Sequence, residues 1–172
     1  MSAATVVAMH HCCGHGAPMH PEIALIEPDI AGNVGTLIRT AACFDVAIHV
    51  VEPCGFPLSD KALKRSGMDY ADVVRLHRHA SRASFIDAMR AEGRRLVLMT
   101  TKGATRLDQF AFTPADVILL GSESAGAPAD VHDAADARVM IPLHPGRRSL
   151  NVAIAGGIAL AECLRQTKGF AP

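Results

Sequence analysis

The chain has 172 residues, 49% of them apolar and 4% aromatic, and its 17 Lys and Arg residues balance 17 Asp and Glu residues. This length suits one domain with its own core, packed mainly by aliphatic side chains. The sequence has no apolar run of about 18 residues and no basic, apolar leader, which argues against a membrane or secreted protein. Five irregularly spaced Cys residues exclude a disulfide framework. We therefore expect a cytoplasmic protein.

Residues 1–21 differ in composition from the rest of the chain, because they concentrate His10, His11, Cys12, Cys13, His15 and His20. Such tracts can bind zinc or copper, but this spacing matches no standard structural zinc site. The composition predicts a disordered extension over 1–21 and one domain over 22–172, with no required metal. Metal handling by the tract is the alternative.

Apolar strand patterns alternate with helical patterns after residue 21. The predicted strands cover residues 23–26, 47–51, 73–76, 96–99, 117–120 and 139–141, and the predicted helices cover 33–44, 60–66, 81–92 and 150–165. Asn33 and Ser149 are placed to cap the first and last helices. Continuous apolar runs are typical of strands covered on both faces. The pattern predicts an α/β fold, a parallel sheet with helices on both faces.

The loops after these strands hold the candidate site residues, because ligands bind beyond the carboxyl ends of parallel strands. Four loops carry small, polar or charged residues: 28–35, 100–103, 121–126 and 141–151. Each loop alone also fits an ordinary turn or helix cap. Neither the glycine fingerprint of dinucleotide binders nor the lysine of a Walker loop is present, which makes a nucleotide-dependent oxidoreductase an unfavourable interpretation.

The segment from Lys61 to Arg95 is locally basic, with nine Lys or Arg residues against four acidic ones. This excess can supply contacts to the phosphates of a nucleic acid. A solvated helical face is the alternative interpretation.

Three motifs resemble the signature motifs of the SPOUT methyltransferases, in that family's order: Asn33-x-Gly35-x-x-x-Arg39, Gly121-x-Glu123-x-x-Gly126, and Ile141-Pro142-Leu143 with Ser149-Leu150-Asn151. The resemblance extends from about Glu22 to Phe170 and is closest to the SpoU/TrmH-like RNA 2′-O-methyltransferases. It implies a parallel α/β fold with a C-terminal trefoil knot and S-adenosyl-L-methionine as the methyl donor.

Residues 52–57, 61–70 and 100–103 are similar to stretches of the small bacterial enzymes that methylate the wobble ribose of tRNA. This similarity implies methyl transfer to the ribose 2′-hydroxyl of cytidine 34 or uridine 34 of tRNA, by a homodimer. The apolar last helix fits a dimer interface or the core of a monomer.

The resemblance also implies roles for individual residues. The catalytic set is Arg39, Asn33, Ser149 and Asn151, and the cofactor-binding set is Met99, Gly121, Glu123, Ile141, Leu143, Ser149 and Leu150. From their charge, the candidates for RNA binding are Lys61, Lys64, Arg65 and Arg148. Because a guanidinium stays protonated, we expect Arg39 to grip a phosphate rather than to act as a base.

Three positions depart from the family pattern: Ala31, Ser122 and Ala125 stand where relatives often carry Pro, Pro or Arg, and Arg, respectively. A catalytically weakened RNA- or cofactor-binding protein therefore remains an alternative. A 2′-O-methyltransferase acting at another tRNA or rRNA position is a second alternative.

Overall fold

The computed structural model describes residues 19–57, 74–103 and 105–171. Seven strands within these residues form one sheet in the order β3-β2-β1-β6-β4-β7-β5, and every pairing is parallel. The strands are β1 (Glu22–Ile26), β2 (Ile48–Val51), β3 (Leu76–His79), β4 (Arg95–Met99), β5 (Thr105–Arg106), β6 (Asp116–Leu120) and β7 (Ala137–Met140).

Helices cover both faces of this sheet, as the sequence predicted. They are α1 (Ala31–Cys43), α2 (Arg82–Ala91), α3 (Ala129–Ala134) and α4 (Val152–Thr167), with a 3-10 turn at Leu107–Gln109. One apolar cluster joins α1 and α4 to the sheet, and a second joins α2 and α3 to its other face. Of the helices in the described ranges, none is long and apolar enough to cross a membrane.

The starts of the first and last helices correct two capping predictions. Helix α1 begins at Ala31, with Ile30 as a cap residue that makes no side-chain cap bond, so Asn33 lies inside the helix rather than at its cap. Helix α4 begins at Val152, and Asn151, not Ser149, accepts hydrogen bonds from the exposed backbone amides at its start.

Several smaller predictions also change. The third strand begins at Leu76, at the end of the predicted 73–76 run. The pattern missed α3 and the two-residue β5, which are too short to show a period. Helix α4 is not buried all round, because Ile154 and Ile158 remain exposed. The predicted helix 60–66 and the His/Cys tract through residue 18 lie outside the described residues.

The described part of the basic segment is engaged in ion pairs within the chain. Each of its six described arginines lies within 4.0 Å of a carboxylate: Arg75 of Asp45, Arg78 of Glu52, Arg82 of Glu27 and Asp130, Arg90 of Asp136, Arg94 of Glu22, and Arg95 of Asp116. Each of these pairs occupies part of the guanidinium with a partner inside the chain. The local excess of arginine therefore contributes to the fold, and contact of this segment with phosphates stays a prediction.

Candidate active site

A cavity of about 550 Å³ opens at the carboxyl edge of the sheet. Its walls come from the ends of β4, β6 and β7 and from the starts of α1 and α4. Strands β1, β2 and β3 form one half of the sheet, and β6, β4, β7 and β5 form the other half. The strand order therefore reverses between β1 and β6. Ligands bind at such reversal points in parallel sheets, and the volume lies within the range of about 300–1,000 Å³ typical of ligand pockets.

The residues predicted to bind the cofactor all line this cavity. Chain segments far apart in the sequence bring them together: Met99 ends β4, Gly121 and Glu123 follow β6, and the remaining four lie between β7 and α4. Those four are Ile141, Leu143, Ser149 and Leu150. Met99 and Leu120 supply apolar surface beside the polar groups. A mixed wall of this kind suits a ligand that has both an apolar ring and charged groups.

Gly121 is required by the turn that follows β6. A Cβ atom there would lie 2.3 Å from both the amide nitrogen of Ala127 and the carbonyl carbon of Gly126. Gly126 has a φ of 73°, which favours glycine. Ser122 and Gly126 exchange two backbone hydrogen bonds of 3.1 and 3.0 Å, which close the turn. The turn tip therefore carries Glu123 on a rigid support.

A chain of hydrogen bonds connects one residue from each of the three motifs. The side-chain amide of Asn33 donates to Glu123 Oε1 at 2.7 Å, and its oxygen accepts from Asn151 Nδ2 at 3.0 Å. Asn151 Oδ1 then accepts from the backbone amides of Ala153 and Ile154. The second oxygen of Glu123 accepts from the backbone N–H of Asp29. All three side chains lie on the cavity wall, so the motifs form one polar network at one site.

Not every predicted site residue joins this network. Ser149 lines the cavity but makes none of these bonds. Arg39 and Arg148 are both exposed, and neither is among the described residues that form the cavity wall. The predicted RNA-binding residues Lys61, Lys64 and Arg65 lie outside the described residues. The catalytic set therefore divides into Asn33, Ser149 and Asn151 at the cavity and Arg39 elsewhere on α1.

The structure adds residues that the motif argument left out. Lys102 and Thr101 line the cavity from the loop after β4, and His132 lines it from α3. The hydroxyl and glycine pattern of residues 100–103 pointed to that loop, but nothing in the sequence marks His132. Within the described residues, no group of three or more His, Cys, Asp or Glu side chains is arranged to hold a metal ion.

Comparison with known proteins identifies the family. Residues 21–161 match the SpoU rRNA Methylase family. The chain belongs to the SpoU methylase family. Its members are methyltransferases, so the chain is an enzyme of that class. The match spans all three motifs and both halves of the sheet, in agreement with the resemblance seen in the sequence.

Individual members of the family narrow the comparison. The chain is 58% identical over 149 residues to the tRNA (cytidine(34)-2′-O)-methyltransferase of Ancylobacter novellus, covering 87% of this chain and 94% of that protein. A solved structure from work on the 2-OH methylation of C/U34 on tRNA superposes with a TM-score of 0.81 at 37% identity, covering 89% of this chain and 99% of the other.

A third relative carries a bound ligand. The AdoMet-bound rRNA methyltransferase from Sinorhizobium meliloti is 31% identical, with a TM-score of 0.76 over 85% of this chain and 56% of that one. Binding of S-adenosylmethionine is thus a property of this family. None of these comparisons bears on the trefoil knot, which stays a prediction.

Proposed function

We propose that this chain transfers a methyl group from S-adenosyl-L-methionine to the ribose 2′-hydroxyl of the wobble nucleotide, cytidine 34 or uridine 34, of tRNA. The observation that carries the proposal is the continuous Glu123–Asn33–Asn151 network on the cavity wall. Identity of 58% to a relative with that named activity supports the choice of substrate. We propose the cytoplasm as its location, where tRNA is modified.

The cavity fits the proposed cofactor. S-adenosylmethionine combines an apolar, hydrogen-bonding purine with a charged methionyl tail. The walls offer apolar groups from Met99, Ile141 and Leu143, and Gly121 contributes to the polar part of the wall. When bound, S-adenosylmethionine supplies a methyl group activated by its sulfonium. Glu123 places a carboxylate in the same wall, where it favours a positively charged ligand.

The chain's own residues then orient the acceptor hydroxyl. Methyl transfer needs the hydroxyl oxygen in line with the methyl carbon, and it needs the hydroxyl proton removed. Asn33 and Asn151 hold the ribose, because their amides are fixed in direction by the network. The guanidinium of Arg39 grips the adjacent phosphate and stabilises the developing negative charge on the oxygen, and the hydroxyl proton passes to that phosphate.

We propose that the enzyme works as a homodimer through the exposed face of α4. Ile154 and Ile158 lie one turn apart on α4 and are 56% and 39% exposed, and Ile30 and Leu150, which precede α1 and α4, are 50% and 37% exposed. A second copy docked on this face removes that apolar surface from water. Ile30 and Leu150 also line the cavity, so this interface adjoins the site.

The position of Arg39 raises the question of whether one active site uses residues of both protomers. Since Arg39 lies outside the cavity wall of its own chain, a phosphate at the cavity mouth is reached either by that arginine or by the one on the second protomer. Mixing inactive Arg39→Ala with inactive Asn33→Ala protein distinguishes these cases. Recovery of up to about a quarter of the activity, the statistical yield of intact sites, indicates that one site draws on both protomers.

The test of the reaction is transfer of labelled methyl from S-adenosylmethionine to unmodified tRNA, followed by nucleoside analysis. We expect a 2′-O-methylated nucleoside at position 34, absent with Arg39→Ala and strongly reduced with Arg39→Lys, because lysine cannot reproduce the guanidinium fork. A methylated nucleoside elsewhere assigns another RNA position. Cofactor binding without transfer to any RNA supports the binding-only alternative and overturns the proposal.

A further inference from the structure

Asp29 holds two successive residues of the turn that follows β6. Its backbone N–H donates to Glu123 Oε2 at 2.9 Å. Its carboxylate oxygen Oδ2 accepts from the backbone N–H of Ser124 at 3.0 Å and also from the Ser124 hydroxyl. The hydrogen bonds from the Ser124 hydroxyl and backbone hold the pKa of Asp29 below its ordinary value. The carboxylate is therefore ionised at neutral pH, as an acceptor of two donors should be.

The turn does not need Asp29 in order to close. Two backbone hydrogen bonds between Ser122 and Gly126 already close it, and Gly121 packs against its far side. The bonds from Asp29 add a connection between two loops, the one after β1 and the one after β6. They cross the point where the strand order reverses, at the mouth of the cavity.

Asp29 is itself held in place by the loop after β2. The backbone N–H of Gly55 donates to the carbonyl of Pro28 at 2.9 Å. A Cβ atom at Gly55 would lie 3.0 Å from the Cα of Asp29 and 3.1 Å from its carbonyl oxygen, so the two backbones are in close contact. A residue fixed in this way can impose a position on the turn it binds.

The position of Glu123 decides the direction of the Asn33 amide. With its carboxylate held opposite Asn33 Nδ2, a rotation of the Asn33 amide by 180° would place two acceptor oxygens together. The same rotation would place the amide nitrogens of Asn33 and Asn151 together. A fixed carboxylate therefore sets the direction of the Asn33 amide from one end of the chain, and Asn151, held by the backbone amides at the start of α4, matches it from the other end.

We propose that Asp29 and Ser124 are positioning residues for methyl transfer, which act through Glu123 to fix the direction of the Asn33 amide beside that of Asn151. This inference rests on the proposed function, in which those amides hold the ribose. Asp29 does not belong to the described cavity wall, so it acts through other residues rather than on the substrate. Its loss lowers the turnover number and leaves the affinity for tRNA unchanged.

The experiment compares Asp29→Asn, Asp29→Ala and Ser124→Ala with wild-type protein by steady-state methyl transfer to tRNA. We expect kcat to fall about tenfold for Asp29→Ala, equivalent to about 1.4 kcal/mol, and less for Asp29→Asn, which keeps one acceptor oxygen. KM for tRNA stays within about twofold. Asp45→Asn is the matched control, because it removes a carboxylate that is 94% exposed at the opposite edge of the sheet.

The double variant Asp29→Ala/Ser124→Ala tests whether the two residues act together. We expect Ser124→Ala to lower kcat several-fold in the wild-type background and less than about twofold in the Asp29→Ala background, since the shared bond is already lost. Independent, multiplying effects on kcat overturn the inference. So does wild-type kcat in Asp29→Ala, or a loss that follows the melting temperature alone.

A second readout separates this inference from the proposed reaction. The side-chain amide signals of Asn33 and Asn151, assigned with single Asn→Asp variants, are followed by ¹⁵N NMR in wild-type and Asp29→Ala protein. We expect these signals to shift and their protons to exchange faster with solvent in Asp29→Ala. Unchanged signals overturn the positioning role. Changed signals in a protein that methylates no tRNA uphold the positioning role and refute the proposed reaction.

Discussion

Asn33 donates to Glu123 and accepts from Asn151, so one carboxamide connects residues that lie 90 positions downstream and 118 positions downstream in the sequence. Its nitrogen is 2.7 Å from the carboxylate and its oxygen is 3.0 Å from the second amide. The direction of the Asn33 carboxamide is therefore set by a partner on each side.

Asn33→Asp removes the donor of the hydrogen bond from Asn33 to Glu123. It places a second carboxylate 2.7 Å from that of Glu123, and two such groups cannot both stay ionised. We expect the rate of methyl transfer at neutral pH to fall about 100-fold, as for loss of one fixed donor. Activity recovers in part as the pH falls, because a shared proton restores a donor. The measurement is single-turnover methyl transfer against pH, and Asn33→Ala, which cannot take up a proton, is the control.

We expect substitution by alanine to have opposite effects on the free energy of unfolding at Gly156 and at Gly157, two neighbouring positions of α4. A Cβ at Gly156 would lie 2.6 Å from Leu120 Cδ1 and 2.9 Å from Leu37 Cδ2, whereas one at Gly157 meets nothing within 4 Å. We expect Gly157→Ala to raise the free energy of unfolding by about 0.5–1 kcal/mol. Gly156→Ala should lower it by about 1–3 kcal/mol through overpacking. Urea denaturation measures both, and changes of equal sign contradict the packing described.

From the histidines on β2 and β3 we expect the free energy of unfolding to fall in acid. His79 Nε2 lies 2.9 Å from His49 Nδ1, and burial together with the charges of His49 and His77 lowers the pKa of His79 to about 4. The pKa of a histidine in the unfolded chain is about 6.5. Between about pH 6.5 and pH 4 the unfolded chain binds more protons, so the free energy of unfolding falls as the pH falls.

Replacement of the imidazole tests this assignment. We expect His79→Gln to show a shallower fall of the free energy of unfolding than wild type between pH 6.5 and pH 4. His144→Gln removes an exposed imidazole from the loop before α4 and serves as the control. The measurement is urea denaturation at several pH values. An unchanged slope in His79→Gln would assign the acid sensitivity to other groups, such as Glu22.

Ile154→Glu tests the proposed dimer. The side chain is 56% exposed on α4, so a carboxylate there costs little in an isolated chain but disrupts an apolar interface. We expect the sedimentation coefficient to change from that of a dimer to that of a monomer, while the circular dichroism spectrum is retained. Ala83→Glu, which adds the same carboxylate at an exposed position of α2, is the control. A wild-type protein that already sediments as a monomer refutes the homodimer.

The fold class was predictable because the central strands β1, β4 and β6 are largely continuous apolar runs, and the motifs mark loops at the carboxyl edge of the sheet. The helix starts were less predictable, because Asn33 and Asn151 both satisfy the local preference for a cap. Only Asn151 caps a helix, whereas Asn33 instead donates across the site to Glu123. The residues next to Asn33 in the sequence do not indicate that its side chain binds a residue far along the chain.

The sequence alone determined the alternation of most strands and helices, the family resemblance and the motif residues that line the cavity, because apolar periodicity and motif spacing are local properties of the chain. Tertiary structure alone decided that Asn33, Glu123 and Asn151 form one network, that Asp29 holds Ser124, and that the described arginines of the basic segment pair with carboxylates. These contacts join segments up to 118 residues apart, and they depend on the order of the strands in the sheet, which brings those segments to one edge.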